Sequence, residues 1–173
     1  MFQIYLIYLL FLILLFLILI FFGAFWRAPW IPTKKEDYDR IAKLANLGPK
    51  MFFYDLGSGT GDMLFYLSKK YNINCAGIEV SPLLYFYSKI RSLFYKKVKI
   101  YYGNFFQHDL SRADVVYVFL HPKLYDRLKK RINSGLKNDS KIILAGWPFE
   151  KSNPIRISKE KYRATYYLYK KPL

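Results

Sequence analysis

The first 22 residues, MFQIYLIYLLFLILLFLILIFF, carry no charged side chain, and only Gln3, Tyr5 and Tyr8 interrupt the apolar run. A helix of that length covers about 33 Å, enough to cross a hydrocarbon core with every backbone group paired within the segment. A cleaved secretory signal fits less well. No basic residue precedes the run, the run is too long, and no small-x-small site follows it. Arg27, Lys34 and Lys35 follow the segment while nothing charged precedes it. The positive-inside rule then puts the N-terminus outside and the remainder in the cytoplasm. Trp26 and Trp30 stand where an interfacial aromatic belt would lie. The expected organisation is a single-pass anchor at 1–23 followed by one domain at 24–173.

That domain carries every charge of the chain: 28 Lys+Arg against 12 Asp+Glu, a formal +16 in 173 residues. With 53% hydrophobic residues the chain is no disordered segment, because it has ample apolar surface to offset ordering entropy. Its one cysteine, Cys75, excludes an internal disulfide framework and suits a reducing compartment. His108 and His121 are the only histidines, so no metal is expected.

Along the domain, strand-like and helix-like patterns alternate. Thr33 followed by Glu36 reads as a capping box starting a helix at about Lys34, with Tyr38, Ile41, Leu44 and Ala45 on one face. Met51–Leu56 is a buried strand ending in glycines, and Asp62–Lys70 is a helix. Ile73–Val80 and Val98–Tyr102 read as strands flanking a helix at Pro82–Tyr95. Ala113–Leu120 is apolar nearly throughout, as in a strand covered on both faces. Pro122–Ile132 reads as a helix, Lys141–Trp147 as a strand, and Ile155–Ser158 with Ala164–Lys170 as a closing hairpin. The expected fold is α/β, a doubly wound sheet whose ligand sits at the carboxyl ends of the strands. The last pair is too close for a crossover helix, so a late strand runs antiparallel.

The chemistry concentrates in Asp55-Leu56-Gly57-Ser58-Gly59-Thr60-Gly61-Asp62, where the first strand runs into a helix. Three glycines two apart let a ligand approach bare backbone. A P-loop needs Gly-Lys-Ser/Thr here, and Asp62-Met63 stands in its place. A carboxylate at the helix start also disfavours a pyrophosphate. Asp55 and Asp62 suit a ligand with cationic groups instead. Glu79 closes the second strand, where a carboxylate can accept from both ribose hydroxyls.

These residues resemble the class I, seven-strand S-adenosylmethionine-dependent methyltransferases. Ala28–Thr33, Asp55–Asp62, Gly103–Phe106 and Ala113–Val116 stand in matching order. With Val118–Pro122 they resemble the small protein-lysine methyltransferases, which include an archaeal broad-specificity enzyme and membrane-anchored enzymes acting on the adenine nucleotide translocase and the ATP synthase c subunit. The resemblance implies a Rossmann-like seven-strand sheet, S-adenosyl-L-methionine as cofactor, and N-methylation of lysine on a protein, most readily a membrane protein. It places Asp55, Gly57, Ser58, Gly59 and Gly61 along the methionine and ribose, Glu79 at the ribose, Asn104 at the adenine edge and Phe105 beside it. Thr33 falls over the methionine end. The chain departs from its relatives at Thr60 and Asp62-Met63-Leu64, and it lacks an Asn/Asp-Pro-Pro-aromatic motif at Phe119–Pro122. That absence argues against base or glutamine-amide substrates.

Methyl transfer to an amine rests on positioning and on an acceptor that has lost its proton. Tyr117, Phe119 and Trp147, at strand ends, are candidates for an aromatic substrate pocket, with core packing as their alternative. His121 is a candidate base, with a surface loop as its alternative, and no catalytic residue is assigned. The basic clusters at 89–99, 127–131 and 151–171 suit an anionic leaflet at about 1 kcal/mol per residue near the surface. RNA phosphates are the weaker alternative partner, and a solvated face of lysine-rich composition is an equal alternative to either. Other readings are a small or lipidic acceptor, RNA methylation, or a non-enzymatic basic module on the membrane surface.

Overall fold

The computed structural model describes the backbone of residues 2–25 and 31–173, and the side chains of 3–18 and 31–173. Helix α1 covers Phe2–Phe25. Its described side chains, Gln3–Ile18, are all exposed. Among the described residues, no helix is long and apolar enough to cross a membrane. Trp26, Arg27 and Trp30 lie outside the described residues.

The rest builds one sheet of seven strands in the order β3-β2-β1-β4-β5-β7-β6. The strands are β1 Phe52–Leu56, β2 Asn74–Glu79, β3 Val98–Tyr102, β4 Val115–Val118, β5 Lys141–Ala145, β6 Arg156–Ser158 and β7 Tyr166–Lys170. The first five pair in parallel. Only β7 runs against its neighbours, pairing antiparallel with both β5 and β6. The short β6–β7 connection dictates this, as the sequence spacing indicates. β4 is buried at all four positions, as a central strand covered on both faces must be. The edge strand β3 alternates instead, with Val98 and Ile100 inside and Lys99 and Tyr101 outside.

Helix α2 (Tyr38–Ala45) precedes β1, while α3 (Asp62–Tyr71) connects β1 to β2, α4 (Pro82–Ser92) connects β2 to β3, and α5 (Tyr125–Gly135) connects β4 to β5. Ile41, Leu44, Leu64 and Leu67 of α2 and α3 pack with Phe53 and Tyr117 in one core. Leu128 and Ile132 of α5 pack with Tyr54, Val116 and Leu144 in a second. A buried ion cluster fastens α2 to the terminal hairpin. Asp37 accepts from Arg40 at 3.1 Å and from the Tyr166 hydroxyl at 3.1 Å. Arg40 also donates to the carbonyls of Ser158 and Ala164.

The capping box is not formed. Lys35–Asp37 is a 3-10 turn, α2 begins at Tyr38, and neither Lys34 nor Asp37 caps through its side chain. Thr33 spends its hydroxyl elsewhere, on Tyr117. Chain order reverses between β1 and β4, which lie side by side. The crevice of a doubly wound sheet opens at the carboxyl ends of such a pair.

Candidate functional site

The glycine loop leaves β1 and folds back over the end of β2. Gly57 N–H and Ser58 N–H both donate to the Ile78 carbonyl, at 2.9 and 3.2 Å. Gly57, Gly59 and Gly61 take φ of +91°, +54° and +75°, conformations that glycine adopts without the strain a side chain brings. Glu79, only 6% exposed, fastens the loop. One of its oxygens accepts from Gly59 N–H at 2.8 Å and the other from Ser81 N–H at 2.7 Å. Each oxygen keeps a second lone pair for an incoming hydroxyl. Gly103 N–H donates to the Glu79 carbonyl at 2.9 Å, which draws the end of β3 to the same rim.

Beside this loop lies a narrow cleft of about 50 Å³, its mouth open to solvent. Asp55, Gly57 and Ser58 line one side, and Thr33, Tyr38, Tyr117 and Phe119 another. Asp55 is buried, and among the described residues its carboxyl makes no side-chain hydrogen bond. Burial, and after it the Glu79 carboxylate, pushes the Asp55 pKa up to about 8. Two carboxylates sharing a water-poor corner favour a cation between them. The Ser58 hydroxyl is also buried and has no partner among the described residues. It lies over Gly77 of β2, whereas the destabilised Asp55 acid is the group a cationic ligand would relieve.

Asp62 lines the cleft too, but it is not the free acid its position suggests. Arg91 of α4 pairs with it at 2.6 Å, and Thr60 donates to it at 2.6 Å. Electrostatic attraction for a cation therefore rests on Asp55 and Glu79. Of the expected cofactor-binding residues, Asp55, Gly57 and Ser58 line the cleft, whereas Gly59, Gly61 and Glu79, and Asn104 and Phe105 at the β3 end, are not among its lining residues. The Asn104 side chain accepts from Phe106 N–H, capping a short 3-10 turn. Phe105 packs on the second core, its ring 4.3 Å from that of Phe106.

The aromatic candidates separate. Tyr117 is 1% exposed, yet its hydroxyl reaches Thr33 at 2.7 Å across the cleft wall. Burial and the neighbouring Tyr166 push its pKa well up, so it stays a neutral phenol. Phe119 lines the cleft. Trp147 does not; it is 46% exposed, with its ring 6.5 Å from Phe119 and 6.4 Å from His121. His121 Nδ1 accepts from Lys123 N–H at 3.3 Å. That contact occupies one of its two ring nitrogens, and His121 is not among the residues lining the cleft. Tyr38 is one of the lining residues that sequence reasoning missed, with Ile31 and Met63, since helical spacing marked it only as core. Its pKa is raised to about 12, first by burial and then by Asp62 and Asp55.

Gly77 supports the loop from beneath. A Cβ there would stand 2.5 Å from Ser58 Oγ, 2.7 Å from Ser58 Cβ and 2.6 Å from Leu64 Cδ1. The expected outcome for Gly77→Ala is a loss of roughly 1–3 kcal/mol of stability, the usual penalty for overpacking, together with weaker ligand binding. Denaturant titration with a parallel binding isotherm measures both.

Comparison with known proteins agrees with this geometry. The model of the ANTKMT methyltransferase domain matches residues 55–156. A protein-lysine N-methyltransferase of Saccharolobus islandicus (strain REY15A) is 27% identical over 153 residues, covering 82% of this chain and 92% of that protein. The Homo sapiens lysine N-methyltransferase of the ATP synthase c subunit is 24% identical over 135 residues, covering 76% of this chain and 57% of that protein. An RNA methyltransferase from Salinibacter ruber, solved with S-adenosyl-L-homocysteine, superimposes with a TM-score of 0.77 at 24% identity, covering 81% of this chain and 93% of that one. That last likeness establishes the fold. With a glycine loop and a buried acid on one cleft, and an acidic β2 end holding that loop, the chain belongs to the ANTKMT methyltransferase domain family, and is a class I methyltransferase using S-adenosylmethionine.

Proposed function

We propose that this chain is a membrane-anchored protein-lysine N-methyltransferase, with residues 1–23 as the anchor and 24–173 as a cytoplasmic catalytic domain. The observation that carries the transfer chemistry is the cleft itself, with the buried Asp55 carboxyl facing an aromatic wall of Tyr38, Tyr117 and Phe119. Relatives named for lysine methylation support the acceptor class. The uncharged run at 1–22 and the cations after it support the anchor and its orientation.

Asp55, Gly57, Ser58, Gly59, Gly61 and Glu79 would hold the cofactor, with Asn104 and Phe105 at its outer end. The cofactor supplies a methyl group on a positively charged sulfur. Asp55 would counter that charge, Glu79 would accept from the ribose hydroxyls, and the bare backbone at Gly57 and Gly59 would permit close approach. The aromatic wall excludes water and offers ring faces to cationic groups. Such a surrounding favours the neutral form of an entering amine, the form that can attack. The neutral Tyr117 hydroxyl, held by Thr33, is a hydrogen-bonding fixture for positioning. No side chain in the cleft is required to take the amine's proton before entry.

The test is incubation of the full chain with cell membranes and methyl-labelled cofactor. Methyllysine released by acid hydrolysis of the protein fraction is the expected product. Label confined to the organic extract, or lost on ribonuclease treatment, overturns the acceptor class and points to a lipidic or RNA acceptor.

A further inference from the structure

Helix α4 turns an apolar face outward. Leu83, Phe86, Tyr87, Ile90, Leu93 and Phe94, spaced three and four apart on α4 and just beyond it, are 53–83% exposed. Its inner face is held by little more than Ser88, fully buried, and Tyr85. A solvent-facing helix normally reverses this pattern. An uncovered stripe of this kind marks an interaction surface.

The surrounding charge says what covers it. From Val80 to His108 the chain carries five Lys and Arg and no Asp or Glu. Arg91 is committed to Asp62. Lys96 and Lys99 are exposed, and Lys99 stands on edge strand β3 beside the exposed Tyr101 and Tyr102. Large apolar side chains flanked by tyrosines and lysines are the composition of a helix lying in a bilayer interface. A second copy of the chain would set like charge against like charge. Helix α1 packs next to α4, so the apolar stripe is continuous with the proposed anchor.

We infer that the outer face of α4, with the β3 edge, lies in the headgroup layer of an anionic membrane and fixes how the catalytic domain sits on it. This rests on the membrane-anchored reading above and adds a second, interfacial contact to it. α4 begins at Pro82, just past Glu79, whose carboxylate accepts from Ser81 N–H, so the docked helix is tied to the cleft rim. A domain seated this way presents its cleft at a constant distance from the bilayer, which selects acceptor lysines close to the membrane surface.

The test uses the full chain carrying Ile90→Cys, labelled with an environment-sensitive fluorophore. The native Cys75 is fully buried and leaves the label specific. The control is Lys130→Cys on α5, across the sheet. Both are reconstituted in phosphatidylcholine vesicles with or without phosphatidylglycerol, carrying a lipid-attached quencher. The expected result is roughly twofold or greater quenching at position 90 when phosphatidylglycerol is present, little without it, and none at position 130. No quenching at 90 in protein that resists carbonate extraction overturns the docked face while leaving the anchor intact. Protein lost to carbonate overturns the anchor, and quenching at 90 before the wash still supports the face. Disulfide-linked dimers of the unlabelled Ile90→Cys variant overturn the membrane as occupant in favour of a second copy.

Discussion

Gly59→Val is expected to lower affinity for S-adenosylmethionine by at least about 100-fold while the domain remains folded. Gly59 holds φ of +54°, a conformation that a β-branched residue adopts only with strain. Its N–H is also the donor that fixes one Glu79 oxygen at 2.8 Å. A valine therefore acts twice: it places two methyl groups on the bare backbone, and it pulls the loop off Glu79. Losing a charged hydrogen bond alone is worth about 1.5–3 kcal/mol, and blocked approach adds to it. Isothermal titration of the variant, with circular dichroism to report the fold, checks the loss. Wild-type affinity in a folded variant would mean that the cofactor does not lie on this loop.

Asp55→Asn is expected to remove a pH dependence that the native protein shows. In the folded chain the Asp55 carboxyl titrates near pH 8, against an ordinary value of 3.8, because burial and the Glu79 carboxylate disfavour its charge. Between these values the folded state holds a proton that the unfolded state has lost. The stability this proton contributes is complete below about pH 4 and is lost as pH rises through about 8. The stability difference between native and variant therefore shifts toward the variant across that window, by at most about 1.4 kcal/mol per pH unit. Binding runs the other way. A cationic ligand favours the ionised carboxylate, so it expels the proton, and native affinity climbs with pH up to about 8. The asparagine variant binds weakly and without that slope. Urea unfolding and binding isotherms at a series of pH values measure both. A native protein with the flat profile of the variant would show that Asp55 is not the buried acid of the site.

Much of this was legible in the residues. The three glycines of Gly57-Ser58-Gly59-Thr60-Gly61 permit the positive φ that each adopts, so a tight turn between β1 and α3 follows from local chemistry. The apolar run around Val115–Val118 reads as a doubly covered strand because burial on both faces erases alternation. The antiparallel β7 follows from the shortness of its connection.

What escaped was long-range. Thr33 and Glu36 have the spacing of a capping box, but the Thr33 hydroxyl instead bonds Tyr117, 84 residues away. No local pattern announces such a partner. Asp62 looks like a free carboxylate until α4 brings Arg91 against it. Trp147 lies at a strand end like Tyr117 and Phe119, but past the last β5 residue the chain turns outward at Gly146, φ +86°, and carries the indole toward His121. Tyr38 reads as core by periodicity, and it is core; only the packing of α2 beside the glycine loop also makes it a wall of the cleft.

The most direct test is competition at the glycine loop. The full chain is titrated with S-adenosylmethionine alone and then in excess NAD or ATP. Carboxylates at Asp55 and Glu79 attract the positively charged donor and repel phosphates, so binding should be unaffected by either nucleotide. Displacement by NAD or ATP, with their phosphates seated on the backbone of Gly57–Gly61, would contradict the assignment.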